Sequence, residues 1–148
     1  MVSFTTRPIR ENEVDGVDYH FISIEEFNES LKRNLLAEHT EYAGNYYGLT
    51  KQEIENKQKD GDCYAVVNYD GHKQLSEQVS EVTSIFVYVK KEALIQRLIA
   101  RGESEYFINQ RLDLYEEELK LKDKLDIVIE NNRPLEEVLE QARVILGK

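Results

Sequence analysis

Two apolar runs constrain the fold of this chain more than any other feature of its sequence. CYAVVNY at 63–69 and SIFVYV at 84–89 are apolar almost without interruption. A strand with one face in water alternates apolar and polar residues, whereas a strand of a parallel sheet covered by helices on both faces is apolar throughout. Both runs are therefore predicted to be buried strands of a mostly parallel sheet.

Strand-like runs and amphipathic helical patterns alternate along the rest of the chain, which is typical of an α/β fold. Ser23 and Glu26 have the spacing of a capping box, which predicts that a helix begins there, and TKQE at 50–53 repeats the pattern. The 148 residues fit a single domain, 1–148, in which 17–60 is a β-rich, aromatic insertion. Further strands are predicted at 2–6, 17–22 and 127–129, and further helices at 72–80, 91–101, 105–122 and from 134.

The composition indicates a folded protein of the cytoplasm. Hydrophobic residues make up 41% of the chain and charged residues 32%, which excludes a disordered class. The single cysteine, Cys63, has no partner for an internal disulfide, which favours a reducing compartment. The net charge of −10 would repel phosphate backbones and anionic lipids, so we predict no nucleic-acid partner and no membrane partner.

The candidates for an anion site are arginines, because a guanidinium fork matches the oxygens of a phosphate and stays charged at any relevant pH. Arginines on helices are more often solvated surface residues, and spacing alone does not decide between the two interpretations. The five candidates are Arg7, Arg10, Arg97, Arg101 and Arg111.

Polar side chains in aromatic surroundings are the second group of candidates. The hydroxyls of Tyr19, Tyr46 and Tyr47 could donate to a phosphate, and the same residues also suit a hydrophobic core. Glu38 could accept two hydrogens from the edge of a guanine, or could be a surface carboxylate. The three histidines lack the spacing of metal ligands, so we predict no metal site and no cofactor.

Three separated motifs give the chain a resemblance to guanylate kinase. TTRPIRENEVDGVDYHF at 5–21, EYAGNYYG at 41–48, and RLIARGES with INQRL in 97–112 resemble that family in order and in approximate separation. The resemblance implies a nucleoside-monophosphate kinase (P-loop kinase) fold, with 17–60 as the GMP-binding subdomain and 97–111 as a lid-like region.

The resemblance also implies roles for individual residues. For the monophosphate it implies Arg7, Arg10, Tyr19 and Tyr47. For the guanine it implies Ser3, Glu38 and Asn68. For the phosphate-binding lid it implies Arg97, Arg101 and Arg111, and for the donor side Asn131.

The sequence departs from the family on the side of the phosphate donor. The glycine-rich loop that holds ATP has the pattern G-x-x-x-x-G-K-[ST], and the seven glycines of this chain do not form it. Two acidic residues of the family are here Val66 and Asn68, and a valine cannot engage magnesium or its waters. We therefore expect no catalytic residues, and nucleotide binding without phosphoryl transfer.

The favoured function is a nucleotide-binding protein derived from guanylate kinase that binds GMP or a related purine nucleotide. Sequestration of a signalling nucleotide, as by a phage-type sponge protein, is one role it could have. Two alternatives stay open: a protein-interaction module that uses the GMP site, and an active guanylate kinase truncated at its N-terminus. Without the family's first strand, 63–69 and 84–89 are predicted to pair directly, or a second copy is predicted to cover the gap in a homodimer.

Overall fold

Residues 1–147, which the computed structural model describes, form two units. The first unit runs from Met1 to Val82 and the second begins at Thr83. The predicted α/β class is confirmed, because each unit combines strands with helices. None of the helices in this part of the chain has both the length and the apolar character needed to cross a membrane.

The first unit is a four-stranded sheet with three helices. Its strands are Phe4–Thr5 (β1), His20–Phe21 (β2), Leu36–Tyr42 (β3) and Asn45–Thr50 (β4), and its helices are Ile24–Lys32 (α1), Lys51–Gln58 (α2) and Tyr69–Gln78 (α3). The strand order is β2-β1-β4-β3. β1 is parallel to β2, whereas β4 is antiparallel to both β1 and β3, so β3 lies at an edge of this sheet.

Side-chain caps set the beginnings of these helices. The Ser23 hydroxyl accepts a hydrogen bond from the N–H of Glu26, and the Glu26 carboxylate accepts one from the N–H of Ser23, as the capping-box spacing predicts. Thr50 caps α2 by accepting a hydrogen bond from the N–H of Glu53. Asn68 caps α3 through its side-chain oxygen.

A tight turn and a close approach fix the central hairpin of the sheet. Ala43 and Gly44 both have positive φ, at 49° and 74°, which suits the twist of a two-residue hairpin turn between β3 and β4. On β4, a Cβ at Gly48 would lie 3.0 Å from Leu36 Cδ1 and 3.3 Å from the ring of Phe27. Glycine at position 48 therefore lets Phe27, which is fully buried, bring α1 down onto the sheet.

The main hydrophobic cluster of this unit joins the sheet to α2 and α3. Its buried members are Ala37, Leu49, Ile54 and Leu75, of which Leu49 has no exposed surface. Burying a leucine or isoleucine side chain contributes about 1.5–3 kcal/mol. This cluster therefore fixes both helices on the sheet.

The second unit is a parallel pair of strands with three helices. The strands are Ile85–Tyr88 (β5) and Ile127–Glu130 (β6), and the helices are Lys91–Ala100 (α4), Glu105–Leu119 (α5) and Leu135–Ile145 (α6), with a short 3-10 turn at Lys122–Lys124. At the start of β5, the N–H and hydroxyl of Ser84 donate to the Asp126 carboxylate at 2.8 and 2.5 Å. The hydroxyl of Tyr115 ties α5 to the end of β5 by donating to the carbonyl of Val89 at 2.9 Å.

The predicted strand at 63–69 is wrong. Residues 63–67 have no regular secondary structure, Tyr64 and Val66 are each 80% exposed, and α3 already begins at Tyr69. Among the described residues β5 pairs only with β6, so direct pairing of 63–69 with 84–89 is also wrong. An apolar run becomes a strand only when a neighbouring strand accepts its backbone hydrogen bonds, and within residues 1–147 no strand pairs with 63–67. The alternative, a homodimer, stays a prediction.

Candidate functional site

Strand alternation brings three of the candidate residues to one face of the four-stranded sheet. Thr5 pairs with Tyr47, and Leu49 pairs with Glu38. Ser3 is two residues from Thr5, and Tyr47 is two residues from Leu49. Because paired residues, and residues two apart on a strand, share a face, Ser3, Tyr47 and Glu38 lie on the same side of the sheet.

Arg7 is held against aromatic rings at this face. Its guanidinium carbon lies 5.6 Å from the ring centroids of both Tyr19 and Phe21, and the Tyr19 ring lies 6.0 Å from the ring of Tyr47. Only 10% of the Arg7 side chain is exposed. The structure thus brings together three of the four residues that the resemblance implies for a monophosphate.

Glu13 is the charged partner of Arg7. Arg7 Nη2 donates to Glu13 Oε1 at 2.8 Å and Nη1 donates to Oε2 at 3.0 Å, while Nη1 also donates to the carbonyl of Pro8 at 2.7 Å. The hydrogen bond from Arg7 holds the pKa of the Glu13 carboxyl below its ordinary value. Burial acts to lower the pKa of Arg7, but the hydrogen bond and charge of Glu13 outweigh it, so the pKa of Arg7 is raised.

Arg10 and Tyr19 are the two other candidate residues near Arg7 and Glu13. Arg10 is exposed, and its backbone N–H donates to Glu13 Oε2 at 2.8 Å. Burial, with a contribution from Tyr47, raises the pKa of the Tyr19 hydroxyl above its ordinary value. The hydroxyl therefore stays protonated at neutral pH and is able to donate to an anion.

Glu38 is the buried carboxylate of this face. The residue is 2% exposed, and its Oε2 atom has no hydrogen-bond partner among the described residues. Burial raises the pKa of Glu38 to about 7, against a lowering contribution from the backbone of Leu49. A buried carboxylate oxygen without a donor is costly, which makes this atom a candidate for contact with a ligand that supplies a hydrogen.

The beginning of α3 lies directly against Glu38. A Cβ at Gly71 would lie 2.7 Å from Glu38 Oε2, so only glycine at this position leaves room for the carboxylate. Asn68 already uses both ends of its side-chain amide, since Oδ1 accepts from the N–H of Gly71 at 2.9 Å and Nδ2 donates to Thr40 Oγ1 at 2.8 Å. Asn68 is therefore mainly a link between α3 and β3. Ser3 is 8% exposed beside β1.

The second unit brings together two of the four candidates that it contains. Arg97 Nη2 donates to the carbonyl of Asn131 at 2.8 Å. Arg101 is exposed at the C-terminal end of α4, one turn after Arg97. Arg111, on α5, is half-buried and near Glu118, whose pKa is raised by burial although the charge of Arg111 acts to lower it.

Two functional contacts could not be found from sequence patterns. Glu13 lies six residues after Arg7 in a loop, a spacing that no regular element explains. Gln74 of α3 pairs with the backbone of His39, 35 residues away, and a contact between separate elements leaves no local pattern. Within residues 1–147 no group of three or more His, Cys, Asp or Glu side chains could hold a metal ion.

Comparisons with known proteins agree on one family. The family model described as guanylate kinase matches residues 1–148. The guanylate kinase of Bacillus cereus (strain ATCC 14579) is 36% identical over 137 residues, which is 89% of this chain and 66% of that protein. The guanylate kinase of Photobacterium profundum is 38% identical over 134 residues, 88% of this chain and 64% of that protein. This chain therefore spans just under two thirds of the length of these curated relatives.

A solved structure also matches. The crystal structure of guanylate kinase from Anaplasma phagocytophilum aligns with a TM-score of 0.76 at 28% sequence identity. The alignment covers 99% of this chain and 73% of that one. The similarity therefore extends to the arrangement of the backbone over nearly the whole of this chain.

Proposed function

This chain belongs to the guanylate kinase family, and we propose that its first unit binds GMP as the acceptor of a phosphoryl group. Guanylate kinases are the proteins to which it is similar in sequence and in structure. The favoured role is that of the acceptor-binding part of a guanylate kinase.

The observation that carries this proposal is the unpartnered Oε2 atom of Glu38. The edge of guanine presents two N–H donors side by side, and an ionised carboxylate accepts both. The same edge of adenine presents a ring nitrogen acceptor, which a buried carboxylate repels. Glu38 therefore supports a guanine nucleotide over an adenine nucleotide.

The cationic group at the same face supports a monophosphate. Arg7 stays charged, and its two hydrogen bonds to the Glu13 carboxylate orient the guanidinium beside Tyr19. Arg10, Tyr19 and Tyr47 are the further donors of this group. Hydrogen bonds from charged donors to an anion are each worth about 1.5–3 kcal/mol, which is enough to make the phosphate an important part of the affinity.

Transfer of a phosphoryl group requires in addition a loop that holds the donor phosphates. These 148 residues do not have the G-x-x-x-x-G-K-[ST] pattern, so transfer needs that loop from residues outside this sequence. For the arginines of the second unit, Arg97, Arg101 and Arg111, the family resemblance implies a role in holding phosphate. The side chain of Val66 has no oxygen to offer to a magnesium ion.

Calorimetry with matched variants tests the proposal. Wild-type protein is expected to bind GMP and to bind AMP far more weakly. Glu38→Gln is expected to weaken GMP binding about 10–100-fold, because it replaces a charged acceptor by a neutral amide. Glu41→Gln, an exposed glutamate on the same strand, is the control and is expected to have no effect. Absence of GMP binding, or equal affinities of the two variants, would overturn the proposal.

A second candidate is nucleotide sequestration, which is favoured by Val66 and by the commitment of the Asn68 amide to Gly71 and Thr40. Neither residue has a carboxylate to offer to catalysis, whereas Arg7, Tyr19 and Tyr47, the candidates for the monophosphate, lie together. A sequestering protein needs a Kd below about 1 μM, or roughly −8 kcal/mol. An acceptor site of a kinase that turns over is expected in the range of about 1 μM to 1 mM. The measured Kd for GMP therefore separates the two candidates.

A further inference from the structure

Strand β3 is an edge strand whose outer side is occupied by side chains of a helix. Among the described residues no strand pairs with it on that side. Instead, the N–H of His39 donates to Gln74 Oε1 at 3.0 Å, and Gln74 Nε2 donates to the carbonyl of His39 at 2.9 Å. One glutamine amide thus makes the two hydrogen bonds that a neighbouring strand would make to one residue.

A second glutamine repeats this contact one turn later. Gln78 Nε2 donates to the carbonyl of Ala37, so Gln74 and Gln78 hold the residues on both sides of Glu38. The pairing of β3 with β4 shifts register between Leu36 and Glu38, which interrupts the ladder of hydrogen bonds at this point. The backbone around Glu38 therefore depends on α3 for support that β4 does not give.

The same helix defines where the carboxylate of Glu38 lies. Gly71, one turn before Gln74, leaves space for Oε2, and Asn68 donates to Thr40 two residues after Glu38. Contacts from α3 thus reach β3 at three positions around one buried carboxylate: 37, 39 and 40.

We propose that Gln74 and Gln78 are positioning residues that aim the Glu38 carboxylate at the base of the nucleotide and so set the preference for guanine. This inference rests on the proposed function. Small displacements of an oriented group are costly in recognition, because hydrogen bonds weaken steeply when their geometry changes. A purely structural role of the glutamines, closing the edge of the sheet, predicts a different pattern of effects.

The test compares GMP with inosine monophosphate, which lacks the 2-amino group and so offers one N–H fewer to Glu38. Gln74→Met keeps the length of the side chain but removes both hydrogen bonds to His39. Gln52→Met is the matched control, since Gln52 is exposed on α2 and its side chain donates to Asn56 on the same helix. By calorimetry, Gln74→Met is expected to lower the GMP-to-inosine-monophosphate affinity ratio about tenfold, and Gln52→Met is expected to leave it unchanged.

A double-mutant cycle separates positioning from a structural role. If Gln74 acts through Glu38, then Gln74→Met is expected to change GMP affinity less than about twofold in a Glu38→Gln background. Equal losses for GMP and inosine monophosphate, or the same loss in both backgrounds, would overturn the inference. If Gln74→Met does not fold, Gln78→Met, which removes the hydrogen bond to the carbonyl of Ala37, is measured with the same expectations.

A readout without nucleotide keeps this inference distinct from the proposed function. Carboxyl ¹³C NMR is expected to show that the pKa of Glu38 in Gln74→Met falls from about 7 towards its ordinary value, because the released carboxylate gains water. An unchanged titration would overturn the inference. If the wild type binds no GMP, the proposed function fails and this titration still decides whether Gln74 positions Glu38.

Discussion

Glu38→Gln, which is expected to weaken nucleotide binding, is also expected to stabilise the folded protein at alkaline pH. Burial raises the pKa of Glu38 from 4.5 to about 7 in the folded state. Folding therefore opposes ionisation of this group. The resulting destabilisation is absent below about pH 4.5, grows as the pH rises through the window between the two pKa values, and is complete above about pH 7.

The size of the effect follows from the shift. A displacement from 4.5 to about 7 corresponds to about 3 kcal/mol when the group is fully ionised. Between about pH 5.5 and about pH 8.5 the unfavourable contribution grows by about 2 kcal/mol, and a neutral glutamine does not have it. The advantage of Glu38→Gln over the wild type is thus expected to increase by about 2 kcal/mol across this range.

Urea denaturation at several pH values measures this change directly. The amide of a buried glutamine adds a constant offset to the free energy of unfolding, so the slope with pH is the quantity to compare. Glu41→Gln, exposed on the same strand, is expected to show the slope of the wild type. A stability difference between Glu38→Gln and wild type that does not vary with pH would refute the reasoning, because Glu38 would then have its ordinary pKa in the folded state.

Three further predictions concern the ligand and the reaction. GMP affinity is expected to rise with pH up to about pH 7 and then level off, because only ionised Glu38 accepts both guanine hydrogens. Calorimetry at about pH 6 and about pH 8 checks this, and an affinity that does not change with pH contradicts it. Arg7→Ala is expected to weaken GMP binding by about 1.5–3 kcal/mol and to have little effect on guanosine binding. Arg33→Ala, at an exposed arginine, is the control. Equal losses of affinity for both ligands would exclude a contact between Arg7 and the phosphate. These 148 residues by themselves are expected to form no ADP from ATP and GMP above background in a coupled assay, and magnesium-dependent turnover that Arg101→Ala abolishes would disprove this.

Local signals in the sequence predicted the features that depend on neighbours in the chain. The capping box of Ser23 and Glu26 appears at the start of α1, and Thr50 caps α2, because each involves residues three positions apart. The strand predicted at 84–89 is present as Ile85–Tyr88. The grouping of Arg7 with Tyr19 and Tyr47 was implied by the resemblance, and composition or periodicity could not have given it.

Features that depend on a distant partner could not be predicted. The run at 63–69 has the composition of a strand, but composition does not say whether a second strand lies beside it. Nor does the sequence show that Glu38 would be buried with one oxygen unpartnered, because that depends on Gly71, 33 positions later, bringing α3 close. In both cases the deciding contact links elements that are far apart in the chain.

The side chain of Asn68 bears both on the strand predicted at 63–69, which does not form, and on the proposed recognition of the base. Because its side chain caps α3, the helix begins at Tyr69, within the run that the apolar pattern assigns to a strand. The same amide donates to Thr40, which an ionised carboxylate at position 68 could not do, since it has no hydrogen to donate. With the amide committed to these two bonds, the proposed guanine site has no charged partner at 68, and in that proposal recognition of the base depends more heavily on Glu38. The support that α3 gives to β3 around Glu38 is therefore most valuable in a chain that has asparagine at this position.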